Sequence, residues 1–166
     1  MHALALAQYG SPESLAAEVN PGDDLVFAKQ AIPFTETADL SNTVFSPTLK
    51  IGDKSPALVV LHTCGGISQH IRVWADAAVK RGYTVLTVDA MRGLKSDCGS
   101  PSKLSNGRLV KDALDAVAHL ASLPSVDSQR ISVIGFSKGA MIASWLASSN
   151  VANVVRPKTP PVLASI

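Results

Sequence analysis

From residue 56 onward, short apolar runs alternate with stretches of helical period, and that alternation confines the chain to an α/β fold. Residues 57–61, 83–88 and 131–136 read as strands buried on both faces, because their apolar character is near-continuous rather than alternating. Between the first two, residues 68–81 place Ile71, Trp74, Ala75 and Ala78 on one helical face and Arg72, Asp76 and Lys80 on the other, with Gly82 as the end cap. Residues 108–123 repeat the pattern with Leu109, Val110, Ala113, Leu114, Val117 and Leu120 until Pro124 stops it. Residues 140–147 are apolar nearly all round, the mark of a buried helix. The order strand, helix, strand, helix, strand, helix implies right-handed parallel crossovers and a mostly parallel, doubly wound sheet covered on both faces. Ligands of such sheets sit beyond the carboxyl ends of the strands. Residues 62–68, 89–106 and 135–139 are therefore the loops expected to carry function.

The remainder of the chain is less regular. Residues 1–23, with Gly10, Pro12, Pro21 and Gly22, are expected to be a flexible lead-in, and residues 24–166 one partial domain. Two short strands are expected ahead of the regular part, at residues 25–28 and 43–45, and residues 161–166 read as the start of another. A length of 166 residues suits a single domain, and 46% apolar against 17% charged residues excludes global disorder. Fifteen Lys and Arg against thirteen Asp and Glu leave +2, too even a balance for a surface that neutralises a phosphate backbone, so nucleic acid is set aside as a partner. No stretch reaches the ~20 apolar residues of a spanning helix, since residues 139–155 are interrupted by Ser and Asn.

The chemistry is concentrated at Gly135-Phe136-Ser137-Lys138-Gly139, a G-x-S-x-G sequence between a predicted strand and a predicted helix. In that setting the serine occupies a sharp strained turn that exposes its Oγ, and the two glycines let strand and helix approach without Cβ clashes. A serine that attacks a carbonyl also needs a base, an acid to orient that base, and N–H donors aimed at the developing oxyanion. One donor is the N–H of the next residue, Lys138, whose side chain is expected to be solvated. The other comes from a loop after an earlier strand, and His62-Thr63-Cys64-Gly65-Gly66 supplies the glycines for it. His62 is expected to brace that loop rather than act as base, and Asp89, at a strand end, to stabilise a turn.

Residues 57–146 resemble the dienelactone hydrolase family of α/β-hydrolases, in particular its serine-nucleophile members with a His-Gly-Cys-Gly-Gly loop. The resemblance rests on residues 62–66, Trp74-Ala75, Gly82-Tyr83, Val88-Asp89, Arg92-Gly93, Cys98 and residues 127–131 leading into the elbow, slightly over half the chain. It implies an α/β-hydrolase sheet, Ser137 as nucleophile, and the backbone N–H groups of Cys64 and Lys138 as oxyanion hole. It also implies a small-molecule ester or lactone substrate, no cofactor and no metal, with Arg92 and Thr63 contacting the substrate and Arg92 binding an anionic group. Archetypal members carry a cysteine nucleophile and a glutamate after the loop histidine; here those positions hold Ser137 and Thr63, which argues against a strict dienelactone substrate.

In this fold the acid and base follow the nucleophile. The 29 residues from 138 to 166 contain no Asp, Glu or His, and His2, His62, His70 and His119 all precede Ser137. The reading is therefore of a hydrolase domain truncated after the nucleophile helix and inactive as it stands, because residues 162–166 stop in mid-strand. The rivals are a non-catalytic module that keeps the elbow for packing, and a thioesterase or peptidase on the same fold. Cys64 and Cys98 have no zinc spacing and are expected either to form one disulfide at the strand ends or to remain two partly buried thiols. The Ala-x-Ala within the first eight residues resembles the end of a signal peptide. With the cysteine pair it suggests a periplasmic or secreted protein, a cytoplasmic one being the alternative.

Overall fold

The structure is a computed structural model and describes residues 11–20 and 24–165. Six strands form one sheet: β1 (Ile32–Pro33), β2 (Thr43–Ser46), β3 (Ser55–Leu61), β4 (Thr84–Val88), β5 (Val126–Gly135) and β6 (Ala164–Ser165), in the spatial order β1-β2-β4-β3-β5-β6. Only the β2–β4 pair is antiparallel. Among the described residues five helices accompany them: α1 (Pro12–Ala17), α2 (Gln69–Lys80), α3 (Asn106–Ser122), α4 (Lys138–Leu146) and α5 (Ser149–Val155).

The chain winds from β3 through α2 to β4 on one side, then returns through α3 to β5 on the other side of β3. Crossovers of one hand running in opposite directions place their helices on opposite faces of the sheet. Two cores record this. Val59 and Leu61 of β3 with Leu86 and Val88 of β4 pack against Leu109, Ala113, Leu114 and Val117 of α3, while Val60 and Val85 pack against Ile71, Ala75 and Ala78 of α2. The period of two along each strand thus feeds both layers, which gives the doubly wound fold expected from the apolar runs. β4 is buried at all five positions, and its Thr84 hydroxyl lies 2.7 Å from Ser55 Oγ, so the buried hydroxyls satisfy each other.

Three expectations are corrected. Residues 25–28 form no strand. Phe27 packs its ring on His119 of α3 at 5.5 Å, and the Ala28 carbonyl is 2.9 Å from His119 Nε2, so this run is laid over a helix and Ile32–Pro33 pairs with β2 instead. Trp74, expected on the buried face of α2, is 47% exposed with its ring beside Phe136. The lead-in contains α1, whose N-cap Ser11 accepts from Ser14 N–H and whose Leu15 is 1% exposed. Helix α1 seats on Gly107 of α3, where any Cβ would fall 1.8 Å from the Leu15 carbonyl oxygen, and Glu18 accepts from Gly107 N–H at 2.6 Å. The Ala-x-Ala sequence and the rest of residues 1–10 lie outside the described residues. Helix α5 was not expected; it buries only Val151 and carries no apolar period to announce it.

Candidate active site

β5 ends at Gly135, level with Leu61 at the end of β3, and Phe136 N–H donates to the Leu61 carbonyl at 3.2 Å. α4 starts at Lys138, with only Phe136 and Ser137 between the two elements. This reversal is possible because Gly135 and Gly139 have no side chains: a Cβ on Gly135 would lie 2.0 Å from the Gly139 carbonyl oxygen, and one on Gly139 would lie 2.7 Å from the carbonyl oxygens of both Leu61 and His62. Ser137 bridges the gap at φ 53°, ψ −111°, a conformation that costs an L-residue on the order of 1–3 kcal/mol. It is the N-cap of α4, where serine ordinarily bonds the helix N–H groups. Here it makes no such bond, and the exposed side chain has no hydrogen-bond partner among the described residues.

The loop after β3 faces this turn. His62, 8% exposed, is fully used in bracing: Ala90 N–H donates to its Nε2 at 3.1 Å, and its Nδ1 lies 2.5 Å from the Thr63 carbonyl, which fixes the hydrogen on Nδ1. Thr63 Oγ1 accepts from Gly65 N–H at 3.1 Å, and Gly66, at φ 83°, donates to the Thr63 carbonyl at 3.0 Å. This tight turn presents Cys64 beside the elbow. The N–H of Cys64 and that of Lys138, the first residue of α4, have no acceptor among the described residues. Asp89 stabilises a turn, accepting from Ser41 Oγ at 2.7 Å and Met91 N–H at 3.0 Å.

The long loop between β4 and α3 is bound to both pieces. Cys64 and Cys98 form a disulfide with Cα atoms 4.8 Å apart, which resolves the two alternatives for the cysteines in favour of the bridge. Asp97 N–H donates to the Cys64 carbonyl at 2.7 Å, while the Asp97 carboxylate accepts from Lys138 Nζ, Ser102 Oγ and Lys103 N–H. Lys138 is thus not solvated as expected; its ammonium is paired with a buried aspartate. Arg92 also has a different partner from the one expected. Its guanidinium makes two bonds to Asp112 of α3 and one to the Ala90 carbonyl, holding the loop at φ 52°.

Burial pushes the Asp97 carboxyl up, but the hydrogen bonds from Lys138, Ser102 and Lys103 N–H, together with the Lys138 charge, outweigh it and hold the group down at about 2. A carboxyl lowered on folding stabilises the fold fully above its ordinary value of 3.8, and the contribution is lost as pH falls through the lowered value. The loop anchor is therefore expected to weaken between pH ~4 and ~2, by on the order of 2 kcal/mol. Thermal unfolding midpoints should fall more steeply over that range in the wild type than in Asp97→Asn. Burial raises Asp112, against the opposing bond and charge of Arg92.

A cavity of about 30 Å³, room for one water, lies beneath the site among Leu61, His62, Cys64, Asp97, Lys138 and Ile142. Beyond His62, the described histidines are also engaged: His70 Nδ1 lies 2.5 Å from Ser68 Oγ, and His119 meets Ala28. Among the described residues no group of three His, Cys, Asp or Glu side chains could hold a metal ion, and no helix is long and apolar enough to cross a membrane. The site thus offers an exposed hydroxyl on a strained turn, together with the N–H groups of Cys64 and Lys138, which have no acceptor among the described residues. Sequence reasoning missed Asp97; its only signal was adjacency to Cys98, which is informative once the disulfide is known.

The model of the dienelactone hydrolase family matches residues 41–157. A polyketide transferase of Stachybotrys chlorohalonatus (strain IBT 40285) is 36% identical over 100 residues, 58% of this chain and 33% of that protein. Among solved structures, a dienelactone hydrolase-like promiscuous phosphotriesterase from metagenomic libraries aligns with TM-score 0.43 and 26% identity, covering 64% of this chain and 45% of the other. The apo form of Thermogutta terrifontis esterase 2 aligns with TM-score 0.46 and 21% identity, covering 60% and 37%. This chain spans a third of the length of the curated relative and less than half of these two structures.

Proposed function

The chain belongs to the dienelactone hydrolase family, and from that premise we propose a serine hydrolase that cleaves a carboxylic ester or lactone through an acyl-enzyme. Ser137 is the nucleophile, and Cys64 N–H and Lys138 N–H are the oxyanion hole. The observation that carries the reading is the backbone of Ser137: a strained N-cap serine that caps nothing and points its hydroxyl outward. Such strain persists where the surroundings over-determine it, and it clusters at reactive sites.

In the proposed reaction Ser137 Oγ bonds to the carbonyl carbon as its proton passes to a base. The oxygen of the tetrahedral intermediate is stabilised by the two N–H groups, and collapse expels the alcohol with the proton returned to it. Water then repeats the sequence on the acyl-enzyme. With Arg92 committed to Asp112, the reading is for a neutral ester. An acyl-enzyme can equally pass its acyl group to a hydroxyl acceptor, a second reading supported by the similarity to a polyketide transferase. The Cys64–Cys98 disulfide supports an oxidising compartment such as the periplasm or cell exterior.

No described histidine is bonded to Ser137, and residues 138–166 hold no Asp, Glu or His. Residues 1–166 expressed by themselves are therefore expected to show no ester turnover above background, and aryl-ester hydrolysis that disappears on Ser137→Ala would contradict this. The full-length protein of this reading adds an Asp and a His after Ser137, and there p-nitrophenyl butyrate is expected to release one nitrophenolate per molecule in a burst and to leave a butyryl group on Ser137. Acylation of another residue, or turnover undiminished in Ser137→Ala, would defeat the proposal. The partition of the acyl group between water and a dilute added alcohol separates the two readings, since transfer predicts mainly the new ester and hydrolysis mainly the acid.

A further inference from the structure

The dipeptide Asp97-Cys98 touches both halves of the site. Cys98 is joined covalently to Cys64, and Asp97 N–H donates to the Cys64 carbonyl at 2.7 Å. The Asp97 carboxylate, with its side chain 1% exposed, is paired with the ammonium of Lys138. Ser102 Oγ, Lys103 N–H and Leu104 N–H complete its shell, so the carboxylate has no freedom to follow a moving lysine. The two residues reached in this way are those proposed above to supply the oxyanion hole, and their backbone N–H groups have no acceptor among the described residues.

We propose that Asp97 is a positioning residue: with the Cys64–Cys98 disulfide it forms one clamp that fixes the spacing of the Cys64 and Lys138 N–H donors. The inference rests on the oxyanion-hole reading above and adds to it a residue that does not touch substrate. An oxyanion hole acts through donors held where charge develops, and a slack of ~1 Å between them forfeits much of the effect. The clamp has two releases. Loss of the Asp97 carboxylate frees Lys138, and a dithiol frees Cys64. In the second case the dithiol closes to a cyclic disulfide as the sulfurs of Cys64 and Cys98 take up its two electrons and two protons. Cys98 is exposed, so that exchange has access.

The test uses the full-length protein with 15N at cysteine and lysine, and reads two quantities: the rate at which a fluorophosphonate labels Ser137, and the amide resonances of Cys64 and Lys138. Asp97→Asn, Lys138→Met and dithiothreitol are each expected to slow labelling at least tenfold in protein that remains folded, and Asp97→Glu to recover part of the rate. The double variant is expected to be no slower than the worse single one, because both cut the same clamp. Lys138→Met should move the Cys64 amide, and reduction should move the Lys138 amide, although neither change touches the group observed. Asp112→Asn, which cuts the Arg92 anchor of the same loop, should leave labelling within twofold; a merely structural role for Asp97 predicts that the two variants behave alike. Labelling of Asp97→Asn at the wild-type rate, or a Lys138 amide unmoved by reduction, would overturn the proposal. If wild type and Ser137→Ala are labelled equally, the nucleophile assignment fails, and the amide resonances still decide the clamp. Reduction is performed on the folded wild type, so a variant that fails to fold leaves the test standing.

Discussion

Replacing Ser137 by alanine in the full-length protein is expected to lower kcat on a simple aryl ester by roughly 10⁴- to 10⁶-fold, the range seen when a hydrolytic nucleophile is removed and only the oxyanion hole and binding remain. Stability should scarcely change. The Ser137 side chain is exposed and has no hydrogen-bond partner among the described residues, so deleting one oxygen leaves neither a cavity nor an orphaned partner there. Thermal midpoints of the two proteins are expected to agree within about 2 °C. Ser137→Gly makes the point from the other side: glycine adopts φ 53° without penalty, so this variant should be equally inactive yet more stable by about 1 kcal/mol. A strained residue kept where glycine would be more stable is what a reactive position predicts. Full activity in Ser137→Ala would contradict the assignment, and a destabilised Ser137→Gly would remove strain from the account.

The second large effect falls on folding. A Cβ added at Gly135 would stand 2.0 Å from the Gly139 carbonyl oxygen and 2.6 Å from the Ala140 nitrogen, all of it backbone that cannot rotate away. Gly135→Ala therefore forces α4 off the end of β5, at an expected cost of roughly 4 kcal/mol, the magnitude that marks a specific steric mechanism. For a domain of this size that is a fall of about 8–16 °C in Tm. Gly52→Ala is the control, because Gly52 sits at φ 88° with nothing within 4 Å of its missing Cβ. There the loss is conformational only, about 1 kcal/mol. Equal effects at the two glycines, measured by thermal or urea unfolding, would show that close approach is not what Gly135 provides.

Gly135 and Gly139 show how far a sequence speaks for itself. Their spacing around Ser137, between a buried strand and an apolar helix, is a local pattern with a single steric meaning, and the structure places them in van der Waals conflict with any side chain. β3, β4, β5, α2, α3 and α4 were legible for a related reason: each buries a whole face or both faces, and burial writes periodicity into the sequence. The short elements were not. Helix α1 has a serine cap followed by proline, but only Leu15 to announce a buried face, and α5 has only Val151. Residues 25–28 look like a strand because apolar side chains facing a helix leave the same mark as those facing a sheet. The ion pairs were the least legible. Lys138 and Asp97 are 41 positions apart and Arg92 and Asp112 20, and nothing local distinguishes a lysine or arginine that pairs with a buried aspartate from one that faces water.

The central claim is that Ser137 is the nucleophile, and covalent capture tests it most directly. The full-length protein is treated with a fluorophosphonate, digested with trypsin and examined for the mass of the peptide spanning residues 131–138. The account predicts one phosphonyl group per molecule, located on Ser137, and none after Ser137→Ala; an adduct on another residue, or undiminished labelling of the alanine variant, would contradict it.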